Sequence, residues 1–117
     1  MKMVHVTIHT ADLEESIGFY RETAGLEVVR DLRPSGKPIV FMAEDKGDTA
    51  VELIEDPAGP YSGGGISAGF STEDVEAKRE ELIAAGYEPT EIISPGPGTR
   101  FFFVNDPNGF TVQFIEE

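Results

Sequence analysis

A chain of 117 residues, 39% hydrophobic with eight Phe, is long enough to bury one core and too apolar for a disordered segment. A net charge of −13 with only nine scattered Lys and Arg argues against nucleic acid as a partner and gives an anionic ligand no long-range help. The absence of Cys rules out disulfides and thiolate metal sites, no apolar run is long enough for a membrane span, and the N-terminus lacks a basic-then-apolar leader, so a cytoplasmic protein with no membrane partner is expected.

Residues 1–10 read as a strand in which Val4, Val6 and Ile8 alternate with His5, Thr7 and His9, so the histidines face away from the valines. Asp12 with Glu15 three places on resembles a capping box. Leu13, Ile17, Phe19, Tyr20 and Ala24 then form a helical stripe that Gly25 ends. Strands follow over 26–32, 39–43 and 49–55, separated by a Pro34-Ser35-Gly36 turn and an acidic turn over 44–48. The run from Asp56 to Gly65 is dense in Gly and Pro and reads as a linker.

The order then repeats. Residues 66–71 predict a strand, and Thr72-Glu73-Asp74 opens a helix that presents Val75, Leu82, Ile83 and Ala85 to a core and ends at Gly86. A weak strand over 88–93, a Ser-Pro-Gly-Pro-Gly turn, and strands over 99–104 and 110–116 joined by Asp106-Pro107-Asn108-Gly109 complete the chain. Val51-Glu52-Leu53-Ile54-Glu55 aligns with Val112-Gln113-Phe114-Ile115-Glu116 at a constant offset of 61 residues. The chain therefore reads as a duplicated βαβββ module, 1–56 and 66–117, with a 57–65 linker. Each half is too small to stand alone, so one α+β domain is expected.

Several of these residues together resemble the vicinal-oxygen-chelate superfamily, which includes glyoxalase I, bleomycin-resistance proteins and extradiol dioxygenases. They are His5 seven places before Asp12-Leu13-Glu14, Ser16-Ile17-Gly18-Phe19-Tyr20, Gly25-Leu26, Val51-Glu52-Leu53, and 101–113 containing Asp-Pro-Asn-Gly. The likeness spans the chain and is strongest to bacterial glyoxalase I (lactoylglutathione lyase). It implies a cup-shaped half-barrel sheet with helices outside, a homodimer, and one divalent metal, Zn or Ni.

By that resemblance the ligand positions are His5, Glu52, Ser67 and Gln113, where His, Glu, His and Glu are usual. The repeat supports the assignment, pairing Ser67 with His5 and Gln113 with Glu52. Imidazole and carboxylate are good ligands, an amide oxygen is a weaker one, and a Ser hydroxyl leaves its place to water, so the metal should be weakly bound. Glyoxalase I moves a proton between adjacent carbons through an enediolate, with a carboxylate as base. Gln113 cannot be that base and Glu52 can, which makes Glu52 and Gln113 the catalytic candidates. Thr7, His9, Ser67, Phe101 and Phe103 would line the substrate pocket. His9 stands where an Arg commonly grips glutathione and Asp56 where an Asn does, so both argue against a glutathione conjugate.

Each residue also has a plain structural reading: His5 and Glu52 satisfied by hydrogen bonds, His9 a half-exposed strand residue, Ser67 and Gln113 polar lining, and Tyr20, Phe41 and the 101–103 Phe run core, with Phe102 facing opposite to its neighbours. Two functions follow. One is a divergent glyoxalase-I-like lyase or isomerase acting on a small oxygenated substrate. The other is a metal-free protein of the bleomycin-resistance type that sequesters a small molecule. A dioxygenase is disfavoured because Ser67 replaces the second His its iron needs.

Overall fold

The computed structural model describes residues 1–117, which divide into two compact units, Met1–Ser62 and Gly63–Glu117. The first contains β1 (His5–Thr10), α1 (Leu13–Ala24), β2 (Glu27–Asp31), β3 (Ile39–Ala43) and β4 (Ala50–Glu55). The second contains β5 (Ser67–Thr72), α2 (Val75–Ala84), β6 (Ile93–Gly96), β7 (Thr99–Asn105) and β8 (Thr111–Glu116). Each unit has one four-stranded sheet, ordered β1-β4-β3-β2 and β5-β8-β7-β6. In each, the first strand runs parallel to the last and the remaining pairs are antiparallel. The architecture is the expected α+β duplication of βαβββ, with two mixed sheets that are not closed into a barrel.

The two helices start by one device used twice. The Asp12 carboxylate accepts the Glu15 N–H at 3.1 Å and the Asp74 carboxylate accepts the Ala77 N–H at 3.0 Å. A carboxylate from the last strand adds a second acceptor: Glu55 takes the Leu13 N–H and Glu116 the Val75 N–H, both at 2.9 Å. These aligned acids satisfy amides that a helix cannot pair internally, and each cap contributes about 1 kcal/mol. The capping box is only half formed, since the Asp12 N–H donates to Thr10 Oγ1 instead of Glu15. α1 ends on Gly25 at φ +67, the left-handed conformation anticipated there. α2 ends one residue earlier than expected, capped by Ala85 with Gly86 following at φ +96.

α1 packs on β2, β3 and β4, and burial follows the predicted stripe: Leu13, Ile17, Phe19 and Tyr20 are all buried against Val40, Met42 and Leu53. Beyond that cover, the start of β1 is exposed. Residues 1–4 lie outside the strand, and Val4 and Val6, placed opposite the histidines, are 55% and 37% exposed while Ile8 is buried.

α2 packs on β7 and β8 with a narrower apolar stripe than anticipated. Val75 and Leu82 are buried; Ile83 and Ala85 are exposed. Basic stems fill the remainder of the seam, with Lys78 Nζ 5.5 Å from the centre of the buried Phe114 ring and Arg79 Nε donating to the Thr90 carbonyl at 2.8 Å. The weak strand predicted over 88–93 forms instead at Ile93–Gly96. Pro89 has no N–H for a ladder, and ahead of Ile93 it is Thr90 that bridges to β7, its N–H donating to the Phe103 carbonyl and its hydroxyl accepting from the Phe103 N–H.

Candidate functional site

In each unit the helix covers one sheet face and leaves the other open. Strand alternation puts His5, Thr7 and His9 of β1 on the open face of the first sheet, as the sequence indicates. The register continues that face inward: Thr7 pairs with Glu52, Glu52 with Phe41, and Phe41 with Arg30. Along this row His5 Nε2 lies 3.4 Å from Glu52 Oε1, and the Thr7 hydroxyl donates to the same oxygen at 2.5 Å. The His5 ring meets Phe41 edge-on at 5.4 Å, and the Arg30 guanidinium lies 5.3 Å from the centre of Phe41. The His5 side chain is 39% exposed and that of Glu52 only 13%, so the carboxylate is recessed beneath groups that a ligand can reach.

His9 sits at the far end of β1 and is engaged elsewhere. Its Nδ1 lies 3.0 Å from Asp56 Oδ2, and the Gly59 N–H donates to Asp56 Oδ1 at 3.0 Å. The His9 hydrogen bond, aided by the Gly59 amide and opposed by desolvation, holds the Asp56 carboxyl below its ordinary value. The His9 carbonyl accepts the Tyr61 N–H at 2.8 Å.

The second sheet carries the equivalent row with different chemistry. Gly69 pairs with Gln113 and Gln113 with Phe103. Ser67 is opposite Thr111, and both line a shallow cavity of about 260 Å³ with Gly65, Ile66 and Phe103. Phe101 and Phe103 are half-buried on the open face, their rings edge-to-face at 5.5 Å, while Phe102 is buried beneath the sheet and stacks on Phe114. The side chains of Ser67 and Gln113 make no hydrogen bond or ion pair inside the protein.

Within the first unit the predicted His5, Thr7 and Glu52 are thus brought together; within the second, Ser67, Gln113 and Phe103 share one open face. Phe41, read as core, lies half-buried in the first row, and Gly69 was not singled out. The register could have exposed both, since each is directly paired with an aligned candidate. Tyr20 belongs to the core, wholly buried.

The donor chemistry fits a divalent ion held weakly. A tetrahedral ion with bonds of about 2.0–2.1 Å sets its ligand atoms roughly 3.3–3.4 Å apart, and His5 Nε2 and Glu52 Oε1 have that spacing at 3.4 Å. They are the two strong donors among the four aligned positions; a hydroxyl and an amide add little. Glu44, Asp45 and Asp48 place carboxylate oxygens within 4.8 Å of one another, but all three are exposed on a turn, where Asp48 accepts the Asp45 N–H at 3.2 Å.

The family model for the Glyoxalase/Bleomycin resistance protein/Dioxygenase superfamily matches residues 2–114. A lactoylglutathione lyase of Haemophilus influenzae is 28% identical, over 99% of this chain and 93% of that protein. The structure of the trypanothione-dependent glyoxalase I of Leishmania major superposes with a TM-score of 0.81 at 23% identity, covering 100% of this chain and 87% of that one. TnmS3, an antibiotic binding protein from Streptomyces sp. CB03234, does so with a TM-score of 0.77 at 22% identity, covering 99% and 95%. At these identities the two structures share the fold. No helix is long and apolar enough to cross a membrane.

Proposed function

The chain belongs to the glyoxalase/bleomycin resistance protein/dioxygenase superfamily, and from that premise we propose that it is a divergent glyoxalase-I-like lyase or isomerase. It acts on a small oxygenated substrate by moving a proton between adjacent carbons. The carrying observation is the His5–Glu52 pair at 3.4 Å with Thr7 anchoring the carboxylate. A recessed carboxylate fixed by a neighbouring hydroxyl is suited to serve as a general base. Glu52 takes the proton from the carbon beside a carbonyl. The electron pair left behind delocalises onto the carbonyl oxygen; the hydroxyl proton on the first carbon passes to that oxygen, and Glu52 returns its proton to the adjacent, former carbonyl carbon, so that carbonyl and hydroxyl exchange places. The Gln113 amide N–H, free of protein partners, donates to the oxygen that gains charge.

A divalent ion, Zn²⁺ or Ni²⁺, would be held by His5, Glu52 and Gln113, with water at the Ser67 position, and would supply Lewis-acid stabilisation of that charge. A homodimer, a single domain made of the two modules and a cytoplasmic location are part of this reading. Glutathione is not favoured as the carrier of the substrate, because His9 and Asp56 bond to each other at 3.0 Å.

Metal analysis of protein purified without chelator or affinity tag tests the reading, followed by calorimetry with Ni²⁺ and Zn²⁺ and a screen of hemithioacetals. The expected result is one metal per site, lost in His5→Ala, with turnover that requires it. No binding at tens of micromolar metal would overturn the lyase assignment. The second reading, a metal-free binding protein, is favoured by one observation: the aligned donors of the second unit, Ser67 and Gln113, carry no charge. A ligand that raises the melting temperature of metal-free protein would support it.

A further inference from the structure

The two open faces differ in charge. The first carries His5, His9, Glu52 and Arg30. On the second, the residues of β5, β7 and β8 that point away from α2 include no ionisable side chain. The charged residues of β7 and β8 lie on the other face: Arg100 pairs with Glu76 of α2, and Glu116 caps that helix. Glu52 and Gln113 hold the same place in the repeat, each paired with a Phe on the neighbouring strand, so the amide neutralises the row without changing its shape.

The position flanking that amide has also changed. In the first row Thr7 reaches Glu52 and bonds it. In the second, residue 69 is Gly, and a Cβ built there would lie 2.9 Å from Gln113 Oε1, so the flexible end of that side chain would have to move aside. Its backbone lies outside the left-handed region, so an Ala is sterically acceptable to the chain itself. What Gly69 permits is the placement of the amide, which lies over the glycine with its hydrogen-bonding capacity unspent.

We infer that Gly69 is a positioning residue for the Gln113 amide, and that the two together make the second face a reader of neutral, flat carbonyl compounds. This deepens the proposed function, resting on its assignment of Gln113 to the site. The ring of such a ligand stacks on Phe103, the register partner of Gln113, which also lines a shallow cavity of about 260 Å³. Its carbonyl oxygen accepts from the Gln113 amide. A carboxylate on the ligand finds no cation on this face and loses hydration without compensation.

The test uses metal-free full-length protein in chelator, so its outcome does not depend on metal or turnover. Acetophenone serves as the neutral probe and benzoate as its anionic counterpart, each titrated into ¹⁵N-labelled protein while the Gln113 side-chain amide resonance is followed. Acetophenone is expected to shift that resonance and to bind at least tenfold more tightly than benzoate. Gly69→Ala should weaken acetophenone by about tenfold, the loss of roughly one hydrogen bond. In a Gln113→Ala background the added Gly69→Ala should change affinity less than twofold, because the atom it displaces is gone. That background also controls for folding, since the close contact disappears with the amide. Equal affinity for the two probes, or a Gly69→Ala effect undiminished in the Gln113→Ala background, overturns the inference. Loss of the lyase reading through absent metal leaves these measurements standing.

Discussion

Thr7 donates its hydroxyl to Glu52 Oε1 at 2.5 Å, the oxygen that also lies 3.4 Å from His5 Nε2. The three side chains come from two parallel neighbours, β1 and β4, and Thr7 and Glu52 are direct partners in the register. The hydroxyl fixes which way the carboxylate turns, as an outer hydrogen-bond partner does for a metal ligand. Thr7→Val keeps the shape and the strand preference but loses the donor. It should weaken Ni²⁺ by about tenfold in calorimetric titration, within the range for outer-partner substitutions. Thr7→Ser should restore most of the affinity. Unchanged binding in Thr7→Val would separate Thr7 from any metal held by His5 and Glu52.

Glu52→Gln preserves size and can still accept from Thr7, yet cannot take a proton. At metal concentrations that saturate both proteins, turnover of the best hemithioacetal from the screen should fall by about 10²–10⁴-fold, the contribution of a positioned general base. The fall should appear in kcat, with KM nearly unchanged. A decline confined to KM would reduce Glu52 to a binding group.

Phe102 and Phe103 are adjacent in sequence and opposite in role. Phe102 is fully buried and stacked on Phe114 at 5.5 Å, whereas Phe103 is half-buried on the open face. Phe102→Ala should destabilise the fold by about 3–5 kcal/mol in urea unfolding, through lost transfer energy and the cavity left behind. Phe103→Ala should cost less than about 1.5 kcal/mol and act mainly on ligand affinity. Equal losses at the two positions would contradict the assignment of faces.

Much of this organisation is legible in the sequence because it rests on short-range chemistry. β3 runs over Ile39–Ala43 as read, Asp12 caps α1, and Gly25 takes the left-handed turn. The equivalence of Glu52 with Gln113 follows from the repeat. Features set by neighbours on other elements were not legible. α2 seals its seam with Lys78 and Arg79 stems, so Ile83 is left outside a core that its hydropathy suggests it should join. Val6 alternates correctly on β1 but lies where no helix covers the strand. The candidate residues divide in the same way: His5 and Glu52 on the first sheet and Gln113 on the second stand out by residue type, whereas Gly69 gains meaning only from what a Cβ there would strike.

The His9–Asp56 pair gives stability a dependence on pH whose sign can be worked out. The His9 hydrogen bond holds the folded Asp56 carboxyl below its ordinary 3.8, so the unfolded chain takes up a proton first as pH falls. The stabilisation is therefore present above the unfolded value and disappears as pH drops through the folded one. Asp56→Asn isolates the charge, because the amide oxygen can still accept the Gly59 N–H that Asp56 accepts at 3.0 Å. Melting temperatures of wild type and Asp56→Asn should differ most above about pH 5 and converge below the ordinary carboxylate range near 4. The pair is well exposed, with side chains 47% and 35% accessible, so the gap should be small and should narrow further in salt. The pair also sits beside the Tyr61 N–H to His9 carbonyl bond, which ties the middle of the linker to β1. Hydrogen exchange at Tyr61 should accordingly quicken in Asp56→Asn at neutral pH. A melting difference that stays constant down to about pH 3 would show that the substitution acts through geometry instead of charge.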